Sequence, residues 1–173
     1  MHLLRALRRS LPPIALAIAA TLLGCTADLG TGSEQVSPPT FAKGRGHGVV
    51  SCAPQAADVV TQVIGPKGGK IKFGKHTLEI PKGALAGPVR ITAEAVADSA
   101  NSVRFEPHGL VFQRATRLTL DYGSCAAPEF ADKRIVYTDD LLNILDALFS
   151  LDDPKGKKIT GKLWHFSRYA VAF

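Results

Sequence analysis

From Val59 to Phe173 glycine and proline cut the chain into short runs in which apolar and polar residues alternate. A period of two puts every second side chain on one face of an extended strand, and the runs are too short for a helix of several turns. Val59 to Ile64 comes first, followed by a turn at Gly65-Pro66-Lys67-Gly68-Gly69. Ile71 and Phe73 then alternate with Lys70 and Lys72, and His76 to Ile80 alternates again. Pro81 to Leu85 is a turn whose Leu85 is placed to plug a core. Val89 to Val96 sets Val89, Ile91, Ala93 and Ala95 on one face. Val103 with Phe105, Thr116 to Tyr122, Ile135 to Thr138, Lys158 to Trp164 and Arg168 to Phe173 complete the series. Strands recurring at intervals of about 8 to 12 residues predict an all-β fold, a single antiparallel β-sandwich.

One stretch fits two periods. Leu141, Leu142, Ile144, Leu145, Leu148 and Phe149 have a spacing that serves a helix, while Leu142, Ile144, Asp146 and Leu148 alternate as a strand does. Its neighbours are all short strands, so an extended run is expected from Asn143 to Phe149.

The first 24 residues follow a different rule. Arg5, Arg8 and Arg9 precede a short apolar run from Ile14 to Leu23, the pattern of a secretory signal rather than a membrane span. The run ends in Leu22-Leu23-Gly24-Cys25, which resembles the lipobox of bacterial lipoproteins. That resemblance implies cleavage before Cys25, a diacylglyceryl thioether on its sulfur and usually an N-acyl chain. Several acyl chains at about 0.8 kcal/mol per buried methylene make a stable anchor. Thr26, not Asp, follows Cys25. The retention signal of enteric inner-membrane lipoproteins is thus missing, which favours the outer membrane of the cell envelope.

Thr26 to about Gly48 is rich in Gly, Ser, Thr and Pro and has no apolar period, as a flexible tether does. Such a segment spans on the order of 25 Å. The expected organisation is a leader over residues 1–24, a lipidated N-terminus and linker over 25–55, and one domain over 56–173. With Cys25 acylated, Cys52 and Cys125 remain, an even pair in an oxidising compartment. A bridge between them is expected, worth at most about 4 kcal/mol by chain entropy.

Charge and motif spacing exclude several functions. The net charge of +6 falls to +3 without the three leader arginines, and no basic run is interleaved with aromatics, so nucleic acid is not an expected partner. Cysteines and histidines lack zinc spacing, so no metal or other cofactor is expected. Asp139-Asp140 and Asp152-Asp153 read as turn formers before calcium ligands. Gly65 to Lys70 is not a Walker loop, since position 64 is Ile and Lys70 is followed by Ile71. Tyr169, Val171 and Phe173 alternate as in an outer-membrane barrel, but the runs fall short of the 9 to 11 or so residues that barrel strands need.

Four motifs in order complete the reading: Gly65-Pro66-Lys67-Gly68-Gly69, Leu78-Glu79-Ile80-Pro81-Lys82-Gly83-Ala84-Leu85, Phe105-Glu106-Pro107-His108-Gly109-Leu110 and His165-Phe166-Ser167-Arg168-Tyr169-Ala170-Val171. Together they resemble a ZU-5 domain, a module of netrin receptors, ankyrins, tight-junction scaffolds and exported bacterial proteins. The resemblance covers roughly the last 110 residues and implies a β-sandwich for protein–protein contact, here with an envelope or extracellular protein, and no enzymatic activity. In some metazoan members His-Phe-Ser is self-cleaved. Carried over, Ser167 would attack the Phe166 carbonyl with His165 as base, an N-to-O acyl shift followed by ester hydrolysis. Only seven residues follow that bond in this sequence, so the motif is expected to act as a closing strand first and as an autoproteolytic site second.

Overall fold

The computed structural model describes residues 48–173, and every regular element among them is a β-strand. In chain order these are β1 (Ser51–Cys52), β2 (Asp58–Ile64), β3 (Gly69–Phe73), β4 (His76–Ile80), β5 (Val89–Ala95), β6 (Val103–Glu106) and β7 (Val111–Asp121). They continue as β8 (Cys125–Ala126), β9 (Arg134–Thr138), β10 (Ile144–Ala147), β11 (Ser150–Asp153), β12 (Lys158–His165) and β13 (Arg168–Ala172). A six-stranded sheet runs β10-β9-β13-β6-β5-β2 and a five-stranded sheet runs β11-β12-β7-β4-β3, with β1-β8 as a separate ribbon. All pairings are antiparallel. The chain is thus the expected all-β sandwich.

Alternation decides which face of each strand is buried. Ile71 and Phe73 of β3, Leu78 and Ile80 of β4, Leu118 and Leu120 of β7, and Ile159 and Leu163 of β12 point inward from one sheet. Ile91 and Ala93 of β5, Phe105 of β6, Ile135 of β9 and Val171 of β13 meet them from the other. Leu85 is buried in the β4–β5 crossing, as its turn position predicts. Burial of this kind contributes about 25 cal/mol per Å² of apolar surface.

The turns obey the sequence as well. Gly68 sits at φ +76°, donates its N–H to Gly65 O at 2.9 Å, and packs so closely that a Cβ would press into the Ile80 carbonyl and Pro81. Only glycine meets both demands. At the β6–β7 corner a cis Glu106–Pro107 bond precedes Gly109, whose φ is +75°.

Two expectations need correction. The linker does not extend to residue 55. Val49 bridges Ala172, Val50 N–H donates to Val171 O at 2.9 Å, and Ser51–Cys52 pairs with Cys125–Ala126. The reason lies in strand length: β6 covers only Arg168 and Tyr169 of β13, which leaves room for Val49 and Val50 alongside its second half. The expected strand from Asn143 to Phe149 is shorter, Ile144–Ala147, with a register shift between Ile144 and Asp146, and a separate strand follows at Ser150. Its apolar side chains are poor core material here, since Leu141, Leu145 and Phe149 face solvent. The signal peptide, Cys25 and the first part of the linker lie outside the described residues.

Candidate functional site

His165 ends β12 in one sheet and Arg168 begins β13 in the other, so Phe166 and Ser167 carry the chain across the core. Backbone bonds hold that crossing on both sides. Phe166 N–H donates to Leu110 O at 2.8 Å, Gly109 N–H donates to Phe166 O at 3.0 Å, and Phe105 N–H donates to Ser167 O at 3.3 Å. The fully buried Phe166 ring stacks on Phe105 at 4.9 Å and 17° and meets the edge of Phe112 at 4.9 Å and 82°. Offset stacking and edge contacts of this sort each add about 0.5 to 1.5 kcal/mol beyond area burial.

The His165 ring is fixed from two directions. Tyr137 packs against it edge-on at 5.2 Å, and Nδ1 lies 3.4 Å from the Phe166 carbonyl oxygen. Tyr169 O–H donates to His165 O at 2.6 Å; burial first, and then the neighbouring Tyr137, push that phenol above its ordinary range. Ser167 is buried beside a pocket of about 500 Å³ that it lines with His108, Tyr137, Thr138 and Arg168.

Sequence reasoning brought His165, Phe166 and Ser167 together, and the structure keeps them adjacent. Acyl transfer needs the histidine on the serine hydroxyl and donors where the oxyanion develops. The Phe166 oxygen has one such donor in Gly109 N–H, while His165 addresses that oxygen as well. Neither Phe166 nor Ser167 takes the left-handed backbone; among the described residues the non-glycine ones that do are Asn101, Leu142 and Lys157. What the arrangement plainly does is weld the two sheets at their crossing.

The other candidate residues divide in the same way. Cys52 and Cys125 are directly opposed in the β1–β8 ribbon and bonded, with S–S at 2.05 Å. Asp139 holds a turn, its Oδ1 accepting from Leu141 N–H and Asn143 N–H, both at 2.9 Å. Donation from the Asn143 side chain leads the effects that lower its carboxyl below the usual range. Asp152 accepts from Tyr122 O–H at 2.6 Å and faces the buried Lys133 ammonium at 3.5 Å. Among the described residues there is no cluster of three or more His, Cys, Asp or Glu placed to hold a metal ion.

Two features escaped the sequence reading. Arg168 is buried, and its guanidinium donates to Ser102 Oγ at 3.0 Å, Asp140 O at 2.7 Å and Asp98 Oδ2 at 2.7 Å. Desolvation opposes the Asp98 charge, but donation from Ser102, Arg168 and the Ala100 N–H outweighs it and holds the carboxyl below its usual range. Asp98 and Arg168 are 70 positions apart, and no local pattern announces such a pair.

The second feature is the outer face of the five-stranded sheet. Lys162, Arg117, Glu79 and Lys70 stand in register on four consecutive strands. Arg117 bonds Glu79 at 3.1 Å and Lys70 pairs with the same carboxylate, whose charge the Lys70 contact chiefly favours. Beside this row Trp164 is 57% exposed. It faces an irregular part of β7, because Leu163 pairs with Thr116 while His165 pairs with Val111. The extra β7 residues, Gln113, Arg114 and Ala115, form with Trp164 and Pro81 a groove of about 640 Å³. A signal for Trp164 was present: with Ile159 and Leu163 inward, parity sends Trp164 outward.

No protein-family model matches the chain, and no curated protein matches it. The likeness to ZU-5 domains rests on the four motifs and their order.

Proposed function

We propose that this protein is an exported, lipid-anchored component of the bacterial envelope whose ZU-5-like sandwich is a protein-interaction module. The observation that carries the reading is the exposed Trp164 set among Lys162, Arg114 and Arg117 on the outer face of the five-stranded sheet. Tryptophan and arginine are among the residues most enriched at interface hot spots. The excess of cations over Glu79 fits an acidic partner surface, which would speed encounter and set orientation. Cys25 is the proposed attachment point, through its lipid, with the outer membrane as the favoured destination.

The test compares envelope proteins retained by the parent chain and by a Trp164→Ala, Lys162→Glu double variant. A partner held by the parent and lost by the variant is the expected outcome. Identical retained sets would refute the reading. Cys25→Ala should in parallel abolish incorporation of labelled palmitate and release the protein to the soluble fraction.

A second reading has its own observation. The Phe166 carbonyl oxygen accepts from Gly109 N–H at 3.0 Å and lies 3.4 Å from His165 Nδ1, so a donor already addresses the carbonyl that self-cleavage would attack. Intact mass of the purified protein tests it: a Ser167–Phe173 fragment, absent from Ser167→Ala, would establish autoproteolysis.

A further inference from the structure

Four strands end the two main sheets, and three of them carry devices that discourage pairing with another chain. β10 is short and breaks register, β11 carries Asp152 and Asp153, and β3 projects Lys70 and Lys72. The fourth is different. β2 pairs with β5 over all seven residues without a register shift, and among the described residues no strand takes its other side. From Val59 to Ile64 it has no charge, proline or glycine. Val59 is 57% exposed and Val63 55%.

The exposed pattern is also symmetric. Val59, Thr61 and Val63 share one face by parity, and Thr61 Oγ1 lies 2.8 Å from Thr92 Oγ1 on β5. An antiparallel copy of β2 centred on Thr61 would set Val59 opposite Val63 of the second copy and Thr61 opposite its own equivalent. Such valine pairs gain roughly 0.2 to 1 kcal/mol each from cross-strand contact. The neighbouring β5 residues obey the same symmetry: Glu94 lies beside Val59 and Arg90 beside Val63. The two-fold therefore brings the Glu94 end of one copy toward the Arg90 end of the other, and like charges do not meet.

We infer that β2 is a homodimerisation edge, joining two copies of this chain through an antiparallel β2–β2 pair centred on Thr61. The two six-stranded sheets become one continuous sheet. The contact is isologous, so it closes at two copies and leaves no free edge of this type for a third. A single strand pair is a small interface, which makes the dimer concentration-dependent rather than obligate. The Trp164 face lies on the other sheet and plays no part in it.

Single cysteines in the full chain test this register, with the parent chain as the control for Cys25, Cys52 and Cys125. Under mild oxidation Thr61→Cys should cross-link with itself, whereas Val59→Cys and Val63→Cys should cross-link efficiently only when mixed with each other. Val63→Lys should weaken self-association by about tenfold or more in sedimentation while leaving the unfolding midpoint near that of the parent. A chain that stays monomeric into the millimolar range overturns the inference. So does Thr61→Cys cross-linking no faster than Lys72→Cys. A monomer in which the thiol introduced at position 61 is shielded from alkylation would also overturn it, by showing that another segment of the chain occupies the edge.

Discussion

Replacing Phe166 by alanine should be among the most damaging single changes in the domain, and the damage should be to stability. The side chain is fully buried, stacked on Phe105 and edge-on to Phe112, at the point where the chain passes between sheets. Losing its transfer free energy and leaving a cavity costs about 3 to 5 kcal/mol for a phenylalanine. The backbone bonds to Leu110 and Gly109 survive the change, so they do not enlarge that figure. A domain of this size has about 5 to 15 kcal/mol in total, so roughly a fifth or more is at stake. With a urea slope near 2 kcal/mol/M the midpoint should fall by about 2 M. Trp164 is the only tryptophan and provides the fluorescence signal. Ser167→Ala and His165→Gln serve as comparisons, each expected to cost no more than about 1.5 kcal/mol because the Phe105-to-Ser167 backbone bond is kept. If either costs as much as Phe166→Ala, or if Phe166→Ala costs under about 1.5 kcal/mol, the welding role assigned to this crossing is wrong.

Removing the disulfide as Cys52→Ala with Cys125→Ala should destabilise by about 4 kcal/mol, since the bridge spans 73 positions; equal urea midpoints for parent and variant would contradict this. Gly68→Ala should cost more than about 1 kcal/mol, because it adds strain at φ +76° to a clash with Ile80 and Pro81, whereas Gly87→Ala, which meets nothing, should be near neutral in the same titration. Acid should destabilise the domain in two stages. Burial holds the His76 imidazole below its ordinary value near 6.5, with Nδ1 accepting from Asp121 N–H, so its neutral form stabilises the fold above that pH and the benefit is lost as pH falls through it. Asp98, also depressed, adds a second loss below the ordinary carboxylate range, and His76→Gln should flatten only the first stage of a stability-against-pH series.

The sequence alone determined that this chain makes strands, which side chains those strands bury, and where they turn. Each of these follows from local chemistry: period-two alternation, the fixed φ of Pro66 and Pro81, and the positive φ available to Gly68 and Gly109. It also paired Cys52 with Cys125, by count and compartment, without geometry. The Asp140 to Leu151 stretch resisted because its apolar residues satisfy two periods while several of them, Leu141 and Phe149 included, serve no core. Tertiary structure decided the rest. Arg168 and Asp98 meet only because β13 and the β5–β6 connection come together in space, so neither residue carries a sign of its partner. Val49 and Val50 are structured because β6 is too short to cover β13, a fact about another strand. The unguarded edge of β2 exists because sheet order places it last; the same six residues in a central strand would be an ordinary core segment. Alternation is a property of one strand, whereas an edge, a weld or a buried ion pair is a property of its neighbours.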